Sequence, residues 1–113
     1  MHEMSLSRSL LDIIEEQARL RHFAKVKAVT VELGCMGHVD SHALRFCFDV
    51  VTRSTLAEGS ELIIIDRPGK VACLDCGTIN EAIDRRDACP TCGSQRVMVD
   101  GGEELKLAEL EVD

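Results

Sequence analysis

The stretch CLDCG at residues 73–77 recurs as CPTCG at residues 89–93. Two residues between the thiols of each pair allow one tight turn to direct both sulfurs toward a single ion. Gly77 and Gly93 permit the backbone conformation that follows such a turn. Because four thiolates in a closed tetrahedron leave no open position for substrate, we predict a structural zinc site rather than a catalytic centre. The predicted Zn(2+) ligands are Cys73, Cys76, Cys89 and Cys92.

Two other chemistries use similar cysteine spacing. Thioredoxin-like redox pairs sit at a strand-to-helix junction, and the sequence around these cysteines lacks one. A rubredoxin-like iron site uses nearly the same spacing, so the cysteines alone leave iron as an alternative to zinc. The absence of Trp and Tyr argues against the small aromatic core of such an iron protein.

The segment 70–98 around the cysteines lacks clear helical or strand periodicity and indicates a separate unit organised by metal. Pro68-Gly69 precedes it and Gly101-Gly102 follows it. We therefore predict that residues 69–99 are an inserted zinc-binding domain. Residues 1–68 and 100–113 are predicted to form the first domain.

Periodicity predicts the elements of the first domain. Apolar residues at helical spacing predict a helix from Ser5 to Arg21, with Ser5 as its cap, and a second helix from the cap Asp40 to about Thr55. Strands are predicted from Val26 to Leu33, from Glu61 to Asp66, and after Gly102, the last with a bulge near Ala108 and Glu109. The predicted fold is α+β, with two helices on a three-stranded sheet and a zinc-ribbon-like insert.

Composition limits the classes of function. The 113 residues are 45% hydrophobic but only 3% aromatic, and the formal net charge is -7. An acidic surface disfavours nucleic acid and anionic membranes as partners. The amino terminus resembles neither a signal peptide nor a membrane span, so we expect a cytoplasmic protein. Six cysteines are then more naturally thiols or metal ligands than disulfides.

A zinc-ribbon module that binds nucleic acid or another protein is the alternative function that the cysteine spacing suggests. Between the two cysteine pairs, however, the sequence has two arginines and three acidic residues, Glu81, Asp84 and Asp87. It has no aromatic residue there for base stacking. We also find no phosphate-binding glycine loop, no nucleophile beside a base and no spaced carboxylate pair, so we do not expect an enzyme.

The first three residues, Met1-His2-Glu3, form a second potential metal site. A bulky second residue is expected to leave Met1 in place with a free amine. That amine, the amide nitrogens of His2 and Glu3, and the His2 imidazole can surround one ion in a plane. Planar four-nitrogen coordination suits Ni(II) or Cu(II) and does not suit zinc. A frayed, solvent-exposed terminus is the alternative interpretation.

Together, MHE before a Ser/Leu-rich helix, the stretch VKAVTVELG from Val26, and the two cysteine pairs resemble the hydrogenase nickel-incorporation accessory protein family, HypA/HybF. The resemblance runs nearly end to end. It implies a metallochaperone that carries Ni(2+) to the large subunit of nickel-iron hydrogenase, and in some organisms to urease. His2 and Glu3 match the family's nickel motif, with Met1 supplying the amine, and Asp40 matches a supporting acidic position.

The resemblance also implies partners: the nickel-handling GTPase of the maturation pathway and the hydrogenase large subunit, with the chain itself a monomer or weak homodimer. Some members use a histidine near the zinc cysteines, but this sequence has none after His42. We predict that His22, His38 and His42 are surface or structural residues. The remaining cysteines, Cys35 and Cys47, are predicted to be buried, inert thiols.

Overall fold

The computed structural model describes residues 2–82 and 87–113. Along these residues the elements are α1 (His2–Arg21), β1 (Val26–Gly34), a short 3₁₀ turn (Cys35–Gly37), α2 (Ser41–Val51), β2 (Glu61–Arg67), β3 (Gly69–Cys73), β4 (Ile79–Ala82), β5 (Val97–Gly101) and β6 (Leu105–Val112). The strands form two three-stranded sheets, in the orders β2-β1-β6 and β4-β3-β5. The predicted α+β class is confirmed, and the second sheet is an addition to it.

Helix α1 begins at His2, so the predicted start and cap at Ser5 are wrong. Residues 2–5 contain no helix breaker, and the Glu3 carboxylate lies in the first turn, where the helix dipole favours negative charge. The helix ends at Arg21, because His22 adopts the left-handed φ of 61°. His2 and Glu3 are therefore helical residues and do not precede the helix.

Helix α2 packs against α1 through apolar faces. The apolar residues of α2 that are buried are Leu44, Cys47 and Phe48, at the helical spacing that predicted this helix. On α1 the buried side chains are Ser7, Leu10, Leu11 and Ile14. The Ser7 hydroxyl is satisfied by the carbonyl oxygen of Leu44 at 3.5 Å, so this buried polar group has a hydrogen-bond partner.

The ends of α2 show why it is shorter than predicted. The predicted cap is confirmed, since the Asp40 carboxylate accepts the N–H groups of His42 and Ala43. The helix stops at Val51 rather than near Thr55. The Thr52 hydroxyl donates to the Phe48 carbonyl at 2.7 Å, and Ser54 takes a left-handed φ of 63°, which the helix cannot continue through.

Strand β1 is the central strand of the first sheet, between β2 and β6. Its Val29, Val31 and Leu33 are buried at period two, which agrees with the periodicity that predicted this strand. The terminal strand joins the sheet of the two earlier strands, which is also confirmed. In β6, Leu105, Leu107 and Leu110 are the half-buried residues. Their change of phase agrees with the predicted bulge, which itself stays a prediction.

The second sheet corrects the expectation that residues 70–98 lack regular structure. β3 pairs antiparallel with β4, Val71 opposite Asn80, and on its other side with β5, Val71 opposite Val99. Strands of four or five residues give too few alternations for a sequence pattern to identify. Val71 and Ala82 of these strands pack with Met36 of the 3₁₀ turn in a small core, with Val97 and Val99 at its edge.

The chain groups into two compact units. One contains the residues up to Val31, Val39–Ile65 and Lys106–Asp113, and the other contains Glu32–His38 and Asp66–Leu105. The predicted insert, 69–99, lies inside the second unit, which also includes chain on either side of it. The assignment of zinc binding to one unit and nickel binding to the other stays a prediction.

Candidate metal centres

The four cysteines of the predicted zinc site lie together in the second unit. Their sulfur atoms are all within 4.8 Å of one another. The Cys73 and Cys92 sulfurs are 3.5 Å apart, and those of Cys76 and Cys89 are 3.7 Å apart. A tetrahedral site with zinc–sulfur bonds of about 2.3 Å requires sulfur separations of roughly 3.8 Å. The cluster therefore fits a closed, structural Zn(2+) site.

Each cysteine pair is held by a matching turn. The Gly77 N–H donates to the Cys73 carbonyl at 3.0 Å, and the Gly93 N–H donates to the Cys89 carbonyl at 2.7 Å. Both glycines have a φ of +77°, where a side chain is strained. The predicted role of these glycines is confirmed. The two turns bring the sulfurs of both pairs into one cluster.

Polar side chains surround the sulfurs, and no pattern in the sequence identifies them. The Thr78 hydroxyl lies 3.0 Å from the Cys76 sulfur. The Asn80 amide donates to the Thr78 hydroxyl oxygen at 3.2 Å. Outside the sulfur cluster, Asp75 accepts from the Ser94 hydroxyl and from the Arg96 guanidinium at 2.8 Å. Asp75 lies in the first turn, between Cys73 and Cys76, and Ser94 and Arg96 follow the second turn. These hydrogen bonds therefore connect the two turns.

These surroundings alter the acidity of the thiols. The Thr78 hydroxyl is the largest cause that lowers the pKa of Cys76. The backbone N–H of Cys92 is the largest cause that holds the pKa of Cys89 at about 6. For Cys92 the backbone N–H of Ser94 lowers the pKa, but the other thiols and burial outweigh it and raise the pKa to about 12. Mutual repulsion of this kind is relieved when a cation enters the cluster.

The predicted nickel residues are partly brought together in the first unit. Met1 lies outside the described residues. His2 is exposed on the first turn of α1, and Glu3 is half-buried. The Glu3 carboxylate accepts the backbone N–H of Asp40 at 3.3 Å, which joins the start of α1 to the cap of α2. The role of His2, Glu3 and Asp40 in binding nickel stays a prediction.

The other histidines and cysteines are not among the predicted metal ligands. The three other histidines, His22, His38 and His42, are all exposed. This agrees with the prediction that they are surface or structural residues. Cys47 is buried, as predicted, whereas Cys35 is only half-buried. The Cys35 thiol donates to the Arg67 carbonyl at 2.9 Å. The expected chemical inertness of both thiols stays a prediction.

Comparison with known proteins decides the family. The family model described as hydrogenase/urease nickel incorporation, metallochaperone, HypA matches residues 1–112. The chain belongs to the HypA family. The resemblance in the sequence is thereby confirmed. Because the family consists of metallochaperones, the prediction that the chain is not an enzyme is confirmed with it.

Individual relatives extend over the full length of the chain. The hydrogenase maturation factor HypA of Azotobacter chroococcum is 47% identical over 113 residues, covering 100% of both chains. That of Alkalilimnicola ehrlichii is 49% identical over the same length and coverage. The solution structure of the nickel metallochaperone HypA from Helicobacter pylori has a TM-score of 0.70 at 26% identity, covering 97% of this chain and 96% of that one.

Membership of the HypA family explains why the sequence has features of both a nickel-binding and a zinc-binding protein. Nickel is the cargo of a metallochaperone, and the four-cysteine cluster is consistent with a resident structural zinc. The chain is thereby a nickel metallochaperone of hydrogenase maturation. No helix in residues 2–82 and 87–113 combines the length and apolar composition needed to cross a membrane.

Proposed function

We propose that this chain binds one Ni(2+) at its amino terminus and helps to insert it into the large subunit of nickel-iron hydrogenase. The proposed nickel ligands are the amine of Met1, the amide nitrogens of His2 and Glu3, and the His2 imidazole, with Asp40 in support. The proposed zinc ligands are Cys73, Cys76, Cys89 and Cys92, and their role is to hold the second unit folded.

The observation that carries the nickel proposal is the start of α1 at His2. The first N–H groups of an α-helix have no intrahelical carbonyl partner, and His2 and Glu3 lie in the first turn of α1. Nickel can therefore replace their amide protons without breaking a helical hydrogen bond. Two deprotonated amides also balance the two positive charges of Ni(2+), so the positive end of the helix dipole does not oppose the ion.

Glu3 and Asp40 support the site through the backbone. The Glu3 side chain is held by the Asp40 N–H, while the Asp40 carboxylate is held by the first turn of α2. This contact limits the movement of the first turn of α1, and a restrained terminus loses less conformational entropy on binding a metal. Two carboxylates near the terminus also favour a cation electrostatically.

The partners follow from the family rather than from a contact. We propose that the chain acts in the cytoplasm with the nickel-handling GTPase of the maturation pathway and with the hydrogenase large subunit. We propose that it does so as a monomer or weak homodimer. Urease is a second recipient to test, because the matched family description names it.

Nickel titration of tag-free protein tests the proposal. His2→Ala should abolish stoichiometric Ni(II) binding while zinc content and thermal stability stay unchanged, because His2 is exposed and supports no core. The matched control is His42→Ala, since His42 is an exposed histidine of the same unit. A Gly-Ser extension before Met1 should remove the yellow absorbance of planar nickel. Unchanged affinity in both His2→Ala and the extended protein would refute the site.

A further inference from the structure

The Thr78 hydroxyl lies between sulfurs of the two cysteine pairs. Its oxygen is 3.0 Å from the sulfur of Cys76 and 3.8 Å from that of Cys89. The backbone of Thr78 is held in place, because its carbonyl accepts the N–H of Cys73 at 2.9 Å. Because its backbone is already held by this bond, the Thr78 hydroxyl is positioned to hydrogen-bond to sulfurs of both pairs.

Asn80 determines the direction of the Thr78 proton. The Asn80 amide nitrogen donates to the Thr78 oxygen at 3.2 Å, and it also lies 3.8 Å from the Cys89 sulfur. A hydroxyl has one proton, and with its oxygen already accepting from Asn80 that proton is free to point at a sulfur. A metal-bound thiolate has no proton to donate, so it accepts. The amide orientation is consistent with this, since a carbonyl oxygen beside Cys89 would meet a second negative group.

The need for such donors follows from charge. Four thiolates around Zn(2+) carry a net charge of about -2, in a chain whose formal net charge is already -7. Backbone N–H groups serve some of the thiolates: the Cys76 N–H donates to the Cys73 sulfur at 3.4 Å, and the Cys92 N–H donates to the Cys89 sulfur. Hydrogen bonds to ionised groups are roughly twice as strong as neutral ones, so additional donors stabilise the loaded cluster.

We propose that Thr78 and Asn80 form a hydrogen-bond relay that stabilises the thiolates of Cys76 and Cys89 and slows the release of zinc. Both are positioning residues and neither binds the metal. The relay rests on the proposed four-cysteine zinc site and extends it to residues outside the CXXC pairs. It also connects the two pairs, because Cys76 belongs to the first and Cys89 to the second.

The test compares Thr78→Val, which removes the hydroxyl at nearly constant volume, with Thr78→Ser, which keeps it. Zinc release to an excess of a coloured chelator should be faster in Thr78→Val, with zinc affinity lower by roughly 10- to 100-fold, the usual cost of losing a hydrogen bond to a metal ligand. Thr78→Ser should restore both values. Asn80→Asp, which replaces the donor by an acceptor, should also release zinc faster.

A spectroscopic readout separates the relay from a merely structural role. In the cobalt-substituted protein, the sulfur-to-cobalt charge-transfer band should move to lower energy in Thr78→Val, because a thiolate without its hydrogen bond gives up an electron more readily. Thr78→Ser should keep the wild-type band. An unchanged band in both Thr78→Val and Asn80→Asp overturns the relay, even if zinc is lost faster. A wild-type protein that holds no zinc on these cysteines overturns the zinc site itself, and the relay with it.

Discussion

Replacing Cys89 by Ser should unfold the second unit and leave the first unit folded. Cys89 is a buried member of the cluster, and a serine hydroxyl does not supply a thiolate to zinc. The core cluster of the second sheet has three buried side chains, Met36, Val71 and Ala82. Full burial of a Val or Met side chain contributes about 1.5–3 kcal/mol, whereas a structural zinc contributes about 10–16 kcal/mol of folding free energy. Zinc thus contributes more than these three side chains together, and the apolar core does not replace it.

The assay is hydrogen exchange measured by mass spectrometry on zinc-loaded protein. In Cys89→Ser, peptides that cover β3 and β5 should exchange at rates close to those of an unfolded chain. Peptides from α1 and α2 should keep their protection, because those helices share a larger apolar core of their own. Metal analysis on the same samples should show the loss of zinc.

Cys35→Ser is the matched control, since Cys35 is a free, half-buried cysteine of the same unit. Its sulfur donates to the Arg67 carbonyl, and a serine hydroxyl can make the same bond. This control should keep both zinc and protection. If Cys89→Ser retains full zinc and wild-type protection across β3 and β5, the dependence of this unit on its metal is refuted.

Two further predictions concern the first unit. Asp40→Ala should lower the free energy of unfolding by about 1 kcal/mol, the usual cost of losing a helix cap, whereas Asp40→Asn keeps the cap and should unfold at the wild-type temperature; equal loss in both would contradict the capping role. Nickel affinity should fall as the pH decreases from about 8 to about 6, because nickel must displace protons from the nitrogen atoms that bind it. Titrations at several pH values measure this, and an affinity that holds down to about pH 5 would instead indicate carboxylate ligands.

The features that depend on neighbouring residues could be predicted from the amino-acid sequence. The cysteine pairs and their glycines predicted two tight turns, because a left-handed residue after the second cysteine is a local requirement. The buried faces of α1, β1 and α2 followed from periodicity, since the geometry of one element decides which side chains share a face. The Asp40 cap belongs to the same class, because a cap bonds to N–H groups only two or three residues away.

The features that depend on distant parts of the chain became visible only in the folded protein. The contact of Glu3 with the Asp40 N–H joins residues 37 positions apart, and no local pattern marks it. The small sheet β4-β3-β5 is stabilised by pairing between short strands, each too short to show its own alternation. Thr78 lies near the Cys89 sulfur only because the two turns are folded together. A hydrogen bond of this kind depends on distance and direction in space, and spacing along the chain specifies neither.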